Sequence, residues 1–265
     1  MPLTFTILGC GSSAGVPRVG QGWGACDPKN PKNRRRRCSL LVEQIDDAGR
    51  RTTVLVDTSP DLRAQLLDAD VKSMDGVLFT HAHADHTHGI DDLRPLMLQM
   101  GRRIDVYADA PTAELLKARF GYCFSTPVGS EYPPMLNELR IEPGLPVTIA
   151  GEGGPIAPLP FAQQHAKERT LGFRFGDLAY SCDVSGIPEE SLPALAGLEV
   201  WILDALRYRP HPSHFSLEEA LAWIALLKPR RAILTNLHTD LDYETLRKSL
   251  PESVEPGYDG LKIVL

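Results

Sequence analysis

The segment His81-Ala82-His83-Ala84-Asp85-His86 constrains this chain more than any other, because it gathers four metal-binding side chains into six residues. It follows the apolar run 76–80, which reads as a buried strand. On an extended backbone His81 and His83 point to the same side, since strand side chains alternate with a period of two. Asp85 and His86 come after the strand and can aim at a second point in a tight turn. Imidazole and carboxylate together suit zinc, and also manganese or iron. His88 lies just beyond and reads as a non-ligand.

A metal site needs further donors, and the second half of the chain offers three. His165 ends the stretch 160–164, Asp183 follows a short apolar strand, and His238 stands just after Leu234-Thr235. Each also has a bland use: a surface histidine, a turn former, a helix-capping residue. Their shared position behind strands favours one common centre.

The rest of the pattern is mixed. Residues 4–8 form an apolar strand that runs into the glycine-rich loop 9–15. Gly9, Gly11 and Gly15 do not have the spacing of a dinucleotide-binding loop, and no helical pattern follows them. Residues 18–37 read as a polar loop ending in four arginines, Arg34 to Arg37, which suit a solvated face. Strands are expected at 38–42 and 53–56, paired across a turn at 46–49, with Asp57 at the end of the second. Pro60 suits the first turn of a helix over 60–69. A strand at 104–107, a helix at 111–120 and a loop-rich lid or side wall at 121–145 follow. Further strands are expected at 147–149, 157–160, 172–175, 179–181, 200–203 and 231–234, with helices at 215–227 and 242–250. Ser216 would cap the first of these, with Glu218 and Glu219 in its opening turn.

Length and composition allow one large domain over 1–265, with 43% hydrophobic and 23% charged residues. The net charge of −6 argues against a broad electrostatic footprint for nucleic acid, though not against a small phosphorylated substrate. No apolar run reaches the roughly 20 residues of a membrane helix. The start of the chain lacks the pattern of a signal peptide, and five scattered cysteines form no Cys-x-x-Cys pair. These features lead us to expect a cytoplasmic protein with reduced thiols.

With these residues in hand, the chain resembles the metallo-β-lactamase superfamily, whose His-x-His-x-Asp-His signature residues 81–86 match in full. Within it the chain is most similar to the phosphodiesterases of the carbon–phosphorus lyase pathway, which open a cyclic phosphate on a ribose phosphate, and more distantly to tRNA 3′-processing endonucleases. The resemblance implies an α/β fold, a four-layer α/β/β/α sandwich, carrying two divalent cations, zinc or manganese. It implies that His81, His83 and His165 hold one cation and that Asp85, His86 and a late histidine hold the other. Asp183 would bridge them, and Asp57 would orient ligands from behind. Two departures stand out. The relatives place the late histidine in Leu-Thr-His, where this chain has Leu234-Thr235-Asn236, so His238 is taken as the substitute. The early loop keeps only Cys26, with Gln21 and Trp23 where thiols of a structural zinc site would stand, so that zinc is expected to be absent.

The chemistry expected is hydrolysis of a small cyclic phosphate or nucleotide diester by a metal-bridging hydroxide, with catalytic parts for Asp85 and Asp183. His214, just before a helix, is the candidate acid for the leaving oxygen, and His211 its rival. Arg207 and Arg209 could bind phosphate. Trp23 could stack on a base or sugar or mark a subunit contact, which leaves a homodimer open. A nuclease would want a broader basic surface. A thioester or lactone hydrolase could use the same ligands, and a non-enzymatic metal carrier would not need His214.

Overall fold

The strands of the first half build one sheet, joined at its edge by the last strand of the chain, and the other strands of the second half build another. In the computed structural model, which describes residues 1–265, the chain runs β1 (Leu3–Gly9), β2 (Ser39–Ile45), β3 (Arg51–Val56), α1 (Leu62–Asp68), β4 (Gly76–Leu78), α2 (Ala84–Thr87), α3 (Arg94–Met100), β5 (Ile104–Ala108), α4 (Ala110–Phe124) and β6 (Leu136–Arg140). It continues with β7 (Pro158–His165), β8 (Glu168–Phe175), β9 (Leu178–Ser181), β10 (Val200–Asp204), α5 (Leu217–Leu227), β11 (Arg231–Thr235), α6 (Tyr243–Ser249), β12 (Val254–Pro256) and β13 (Lys262–Val264). The first sheet has the order β13-β1-β2-β3-β4-β5-β6 and the second β12-β11-β10-β9-β8-β7.

Alternation decides the layers. Phe5, Val42, Val54, Phe173, Tyr180 and Ile202 point between the sheets and form one core. Leu41, Leu55 and Val77 point the other way, onto Leu62, Leu93 and Leu116 of the first helical layer. Trp201, Leu203 and Ala232 pack against Ala220, Ile224 and Leu246 of the second. The result is the expected helix–sheet–sheet–helix stack. No helix is long and apolar enough to cross a membrane.

Three sequence expectations need correction. The segment 121–145 is no mere lid: α4 runs on to Phe124, and β6 pairs in parallel with β5 as an edge strand. Its exposed Asn137, Leu139 and Arg140 hid it from an apolar pattern. Residues 147–149 give only a single bridge, Ile149 to Ile156. The arginine run is not a solvated face. Arg35 is 1% exposed, Arg36 pairs with Asp68 and Asp259, and Arg37 pairs with Asp61. In addition, Pro60 precedes the cap of α1, Asp61, and so lies outside that helix. On α5 the capping box is complete: Ser216 Oγ accepts from Glu219 N, and Glu219 returns to Ser216 N.

Candidate metal centre

Five strand ends deliver the site. β4 leads into the loop carrying His81 and His83, and α2 starts directly after His83, so Asp85 and His86 fall in its single turn. Asp57 follows β3, Asp183 follows β9, His165 ends β7, and Asn236 follows β11. Asp57, Asp183 and Asn236 have φ of 62°, 51° and 63°. Asp and Asn are among the few side chains that tolerate this left-handed conformation, and such strain collects at functional sites. Gly89 closes the turn. A Cβ there would meet the Ser59 carbonyl oxygen at 2.0 Å, so only glycine lets the histidine loop seat against the Asp57 loop.

Asp57 is the buried anchor. Its Oδ1 accepts from Thr80 N at 2.8 Å, and its Oδ2 from Thr80 Oγ1 and from His86 Nδ1, both at 2.7 Å. His86 Nδ1 therefore carries a proton, and Nε2 is the ring nitrogen left to meet a cation. That Nε2 lies 3.3 Å from Asp183 Oδ1 and 3.4 Å from Asp85 Oδ2. His165 is fixed likewise: Nδ1 donates to the Ser213 carbonyl at 2.6 Å, leaving Nε2 at 3.8 Å from Asp183 Oδ2. His81 Nε2, 3.6 Å from the same oxygen, is buried with no hydrogen-bond partner. A buried imidazole nitrogen without a partner is costly unless something binds its lone pair.

The electrostatics match. Burial, with His86 beside it, pushes the His81 pKa well down, and burial lowers that of His165. Both rings are held neutral, as ligation requires. Burial works against charge on both Asp183 and His86, but the two hold each other charged: Asp183 and Asp85 lift the imidazole's pKa well above its usual value, and that imidazolium holds the Asp183 carboxyl well below the usual range, so a cation at Nε2 would take the place of a proton. One donor atom from each of His81, His83, His165 and Asp183 falls within 4.8 Å of the others, and His86, Cys182 and Asp183 form a second such group. Asp85 adjoins this second group through His86. The donor set therefore fits a cation at the first position and, more thinly, a second beside it.

A beta-lactamase superfamily domain matches residues 52–236. The chain belongs to the metallo-β-lactamase superfamily. By family and by site it is a metallo-β-lactamase-fold hydrolase with a possible metal site. It is 35% identical, at a TM-score of 0.89, to the crystal structure of a new diphosphatase from the PhnP family, with 100% of this chain and 98% of that one covered. It is 34% identical over 264 residues to an octanoyltransferase of Porphyromonas gingivalis (strain ATCC BAA-308 / W83). That match takes in 98% of this chain but 51% of the relative, so the chain spans about half that protein's length. A superfamily fold likeness extends to zinc-bound PqqB from Methylobacterium extorquens, at 17% identity and a TM-score of 0.74, covering 98% of this chain and 99% of that one.

Not every residue singled out from the sequence joins the cluster. His238 stays outside it: Nε2 lies 2.6 Å from Arg18 Nη1, and Nδ1 3.1 Å from Asp240 Oδ1. Asn236 takes the inner place and donates from Nδ2 to Asp183 Oδ1 at 2.9 Å. His214 does join, its ring centroid 4.7 Å from that of His165, while His211 stands a further 5.1 Å out. His88 packs edge-on against Phe120. Arg207 spends its donors on the carbonyls of Arg209 and Pro210, and Arg209 is exposed. Trp23 stacks under Arg34, 5.3 Å from the guanidinium carbon. Cys26 is buried and donates to the Thr239 carbonyl.

Sequence reasoning missed Asp204. It is fully buried at the end of β10, and its Oδ2 accepts from Val184 N at 3.0 Å and from His214 Nδ1 at 2.8 Å. Burial opposes the charge on His214, yet Asp204 and its hydrogen bond lift that imidazole's pKa to about 9. The missed signal was an acid directly after a buried strand, the pattern already noted at Asp57 and Asp183.

Proposed function

We propose that the chain hydrolyses a small phosphodiester or the phosphoanhydride bridge of a substituted diphosphate, either of which is cleaved at phosphorus. The observation that carries this reading is the His214–Asp204 pair set against the ligand cluster. Because Nδ1 is committed to Asp204, it cannot also accept from the Asn236 amide 3.1 Å away, and Asn236 is satisfied by Asp183 instead. The free ring nitrogen of His214 is then Nε2, and a charged imidazolium there can give a proton to a departing alkoxide or phosphate oxygen. A thioester needs that proton less, because a thiolate is the better leaving group.

Two divalent cations, zinc or manganese, would supply a nucleophile at neutral pH and neutralise charge on the phosphoryl oxygens. His81, His83, His165 and Asp183 would hold one, and Asp85, His86 and Asp183 the other. The remaining work belongs to the chain. Asp57 and the Ser213 carbonyl fix the tautomers of His86 and His165. Asp204 keeps His214 charged and oriented. The diphosphatase relative at 35% identity supports action at phosphorus. The octanoyltransferase match keeps a thioester hydrolase as the second reading, although about half of that relative lies outside the match. The net charge of −6 weighs against a nuclease.

The test is an assay of metal-loaded protein on cyclic phosphates, diesters, substituted diphosphates, oligonucleotides and thioesters. Turnover of the phosphorus substrates is expected to fall about 10²- to 10⁴-fold in His214→Ala with metal content retained. Thioester turnover without any turnover at phosphorus would overturn the reading.

A further inference from the structure

Three histidines of the centre commit Nδ1 to a fixed partner. Thr80 gives its one hydroxyl hydrogen to Asp57, so at 2.9 Å it must accept from His81 Nδ1. His86 Nδ1 donates to Asp57, and His165 Nδ1 to the Ser213 carbonyl. These rings turn Nε2 toward the cluster. His83 is the exception. Its Nε2 lies 3.3 Å from Glu168 Oε2, and its ring stands edge-on to those of His81 and His165, with centroids 4.5 and 5.1 Å away. A ring that turns Nε2 to a carboxylate has Nδ1 left for the cluster.

The backbone places Glu168 for this contact. β7 and β8 are joined by Ala166-Lys167 alone, so Glu168 stands directly opposite His165. Opposed residues on antiparallel strands put their side chains on one face, which for His165 is the face of the cluster. The hairpin is tied down on both strands. Ala166 N donates to Ser185 Oγ at 3.0 Å and Ser185 N to the Gln164 carbonyl at 2.7 Å, which joins it to the loop carrying Asp183. Leu171 N donates to the Thr80 carbonyl at 2.9 Å, which joins β8 to the loop carrying His81. Ala166 has a φ of 55°, a conformation that alanine keeps only where the surroundings impose it. The neighbouring Arg169 is spent on Asp109, so it does not draw Glu168 away.

We propose that Glu168 is the positioning residue of His83: its carboxylate accepts from Nε2 and leaves Nδ1 aimed at the first cation. The inference rests on the reading that His81, His83, His165 and Asp183 hold a cation, and not on the reaction carried out there. A carboxylate behind a ligand histidine fixes its tautomer and makes the bound nitrogen more basic. Thr80 and Asp57, which do this for His81 and His86, are buried, whereas the Glu168 side chain is 65% exposed. It can therefore be removed without opening the core.

Zinc binding by the full chain, measured in competition with a chromophoric chelator, tests the assignment. Glu168→Ala should weaken zinc binding by about tenfold, the low end of what an outer partner contributes. Glu168→Gln keeps an oxygen that can accept and should recover part of the loss. The metal-free proteins should melt together, since an exposed side chain carries little of the fold. Should Glu168→Ala disturb the hairpin, Glu168→Met keeps the length without the carboxylate and reads the same effect. In the zinc-loaded protein, long-range nitrogen–proton correlation spectra should place the His83 proton on Nε2, with faster exchange against water in Glu168→Ala. Unchanged zinc affinity in Glu168→Ala, or a His83 proton found on Nδ1, would overturn the assignment. Glu168-dependent zinc binding without turnover at phosphorus supports the pair and sinks the proposed reaction. Turnover at phosphorus with Glu168-independent zinc binding does the reverse.

Discussion

Replacing Asp57 with asparagine separates the anchor's charge from its shape. The backbone conformation is no obstacle, because asparagine tolerates the φ of 62° found there. The hydrogen bonds are. Asp57 accepts from three donors, Thr80 N, Thr80 Oγ1 and His86 Nδ1, and an amide has one oxygen to offer. If the amide oxygen stays with Thr80 N, the amide nitrogen faces the Thr80 hydroxyl, which can rotate and accept, and His86 Nδ1, which cannot accept while protonated. His86 must then leave a donor unpaired or move its proton to Nε2. The first outcome costs about 1–3 kcal/mol of stability. At roughly 3 °C per kcal/mol for a chain of this size, that lowers Tm by about 3–9 °C. The second fixes a proton on Nε2, the nitrogen that would meet a cation beside Asp85 and Asp183. Loss of such an outer partner weakens a metal site about 10- to 100-fold. Competition against a chromophoric chelator measures the affinity, and melting of the metal-free protein measures the stability. If Asp57→Asn matched wild type in both, the Asp57–His86 bond would not be setting the histidine's tautomer, and the account of the centre given above would be wrong.

Three further outcomes follow from the geometry. Asn236→His should raise affinity for a second cation by more than the roughly 10- to 100-fold that outer partners contribute, read as metal stoichiometry by elemental analysis, since histidine also tolerates the φ of 63° at that position. A cation present at 100 times its Kd should stabilise the fold by about 2.7 kcal/mol, so chelation should lower Tm and re-addition restore it. Asp242 caps α6 through Thr245 N and also accepts from Asn33 Nδ2. Although partial burial works the other way, these bonds hold its pKa at about 2. A depressed carboxylate pKa contributes stability that is present above the unfolded value of 3.8 and lost as pH falls toward 2. Asp242→Ala should therefore cost about 1 kcal/mol near neutrality, allowing for solvent screening, and the gap to wild type should close between about pH 4 and 2 in denaturant titrations.

Much of the architecture was legible from local pattern. The β2–β3 hairpin, the strand ahead of His81 and the capped helix α5 each follow from hydrophobic period and end chemistry acting over a few residues. The edge strand β6 was not legible, because half of its side chains face solvent and its partner β5 lies 32 residues back in register. The arginine run misled for a related reason. Its acids, Asp61, Asp68 and Asp259, come from distant segments, so the pairs form only in the folded chain.

The sequence by itself determined that a metal-binding loop follows a buried strand, since the spacing of His81, His83, Asp85 and His86 is a local property and backbone geometry alone aims those side chains. Only the tertiary structure decided which late residue meets Asp183. Asn236 and His238 stand two apart on the same loop, and the contest between them is settled by Arg18, 220 residues away, which takes the histidine ring while the amide turns inward. The same holds for Asp204 and His214, ten residues apart but joined at 2.8 Å because β10 and the turn before α5 end at one edge of the sheet. Ligand type and spacing are written along the chain, whereas the partner of each buried charge depends on which strand ends the two sheets bring together.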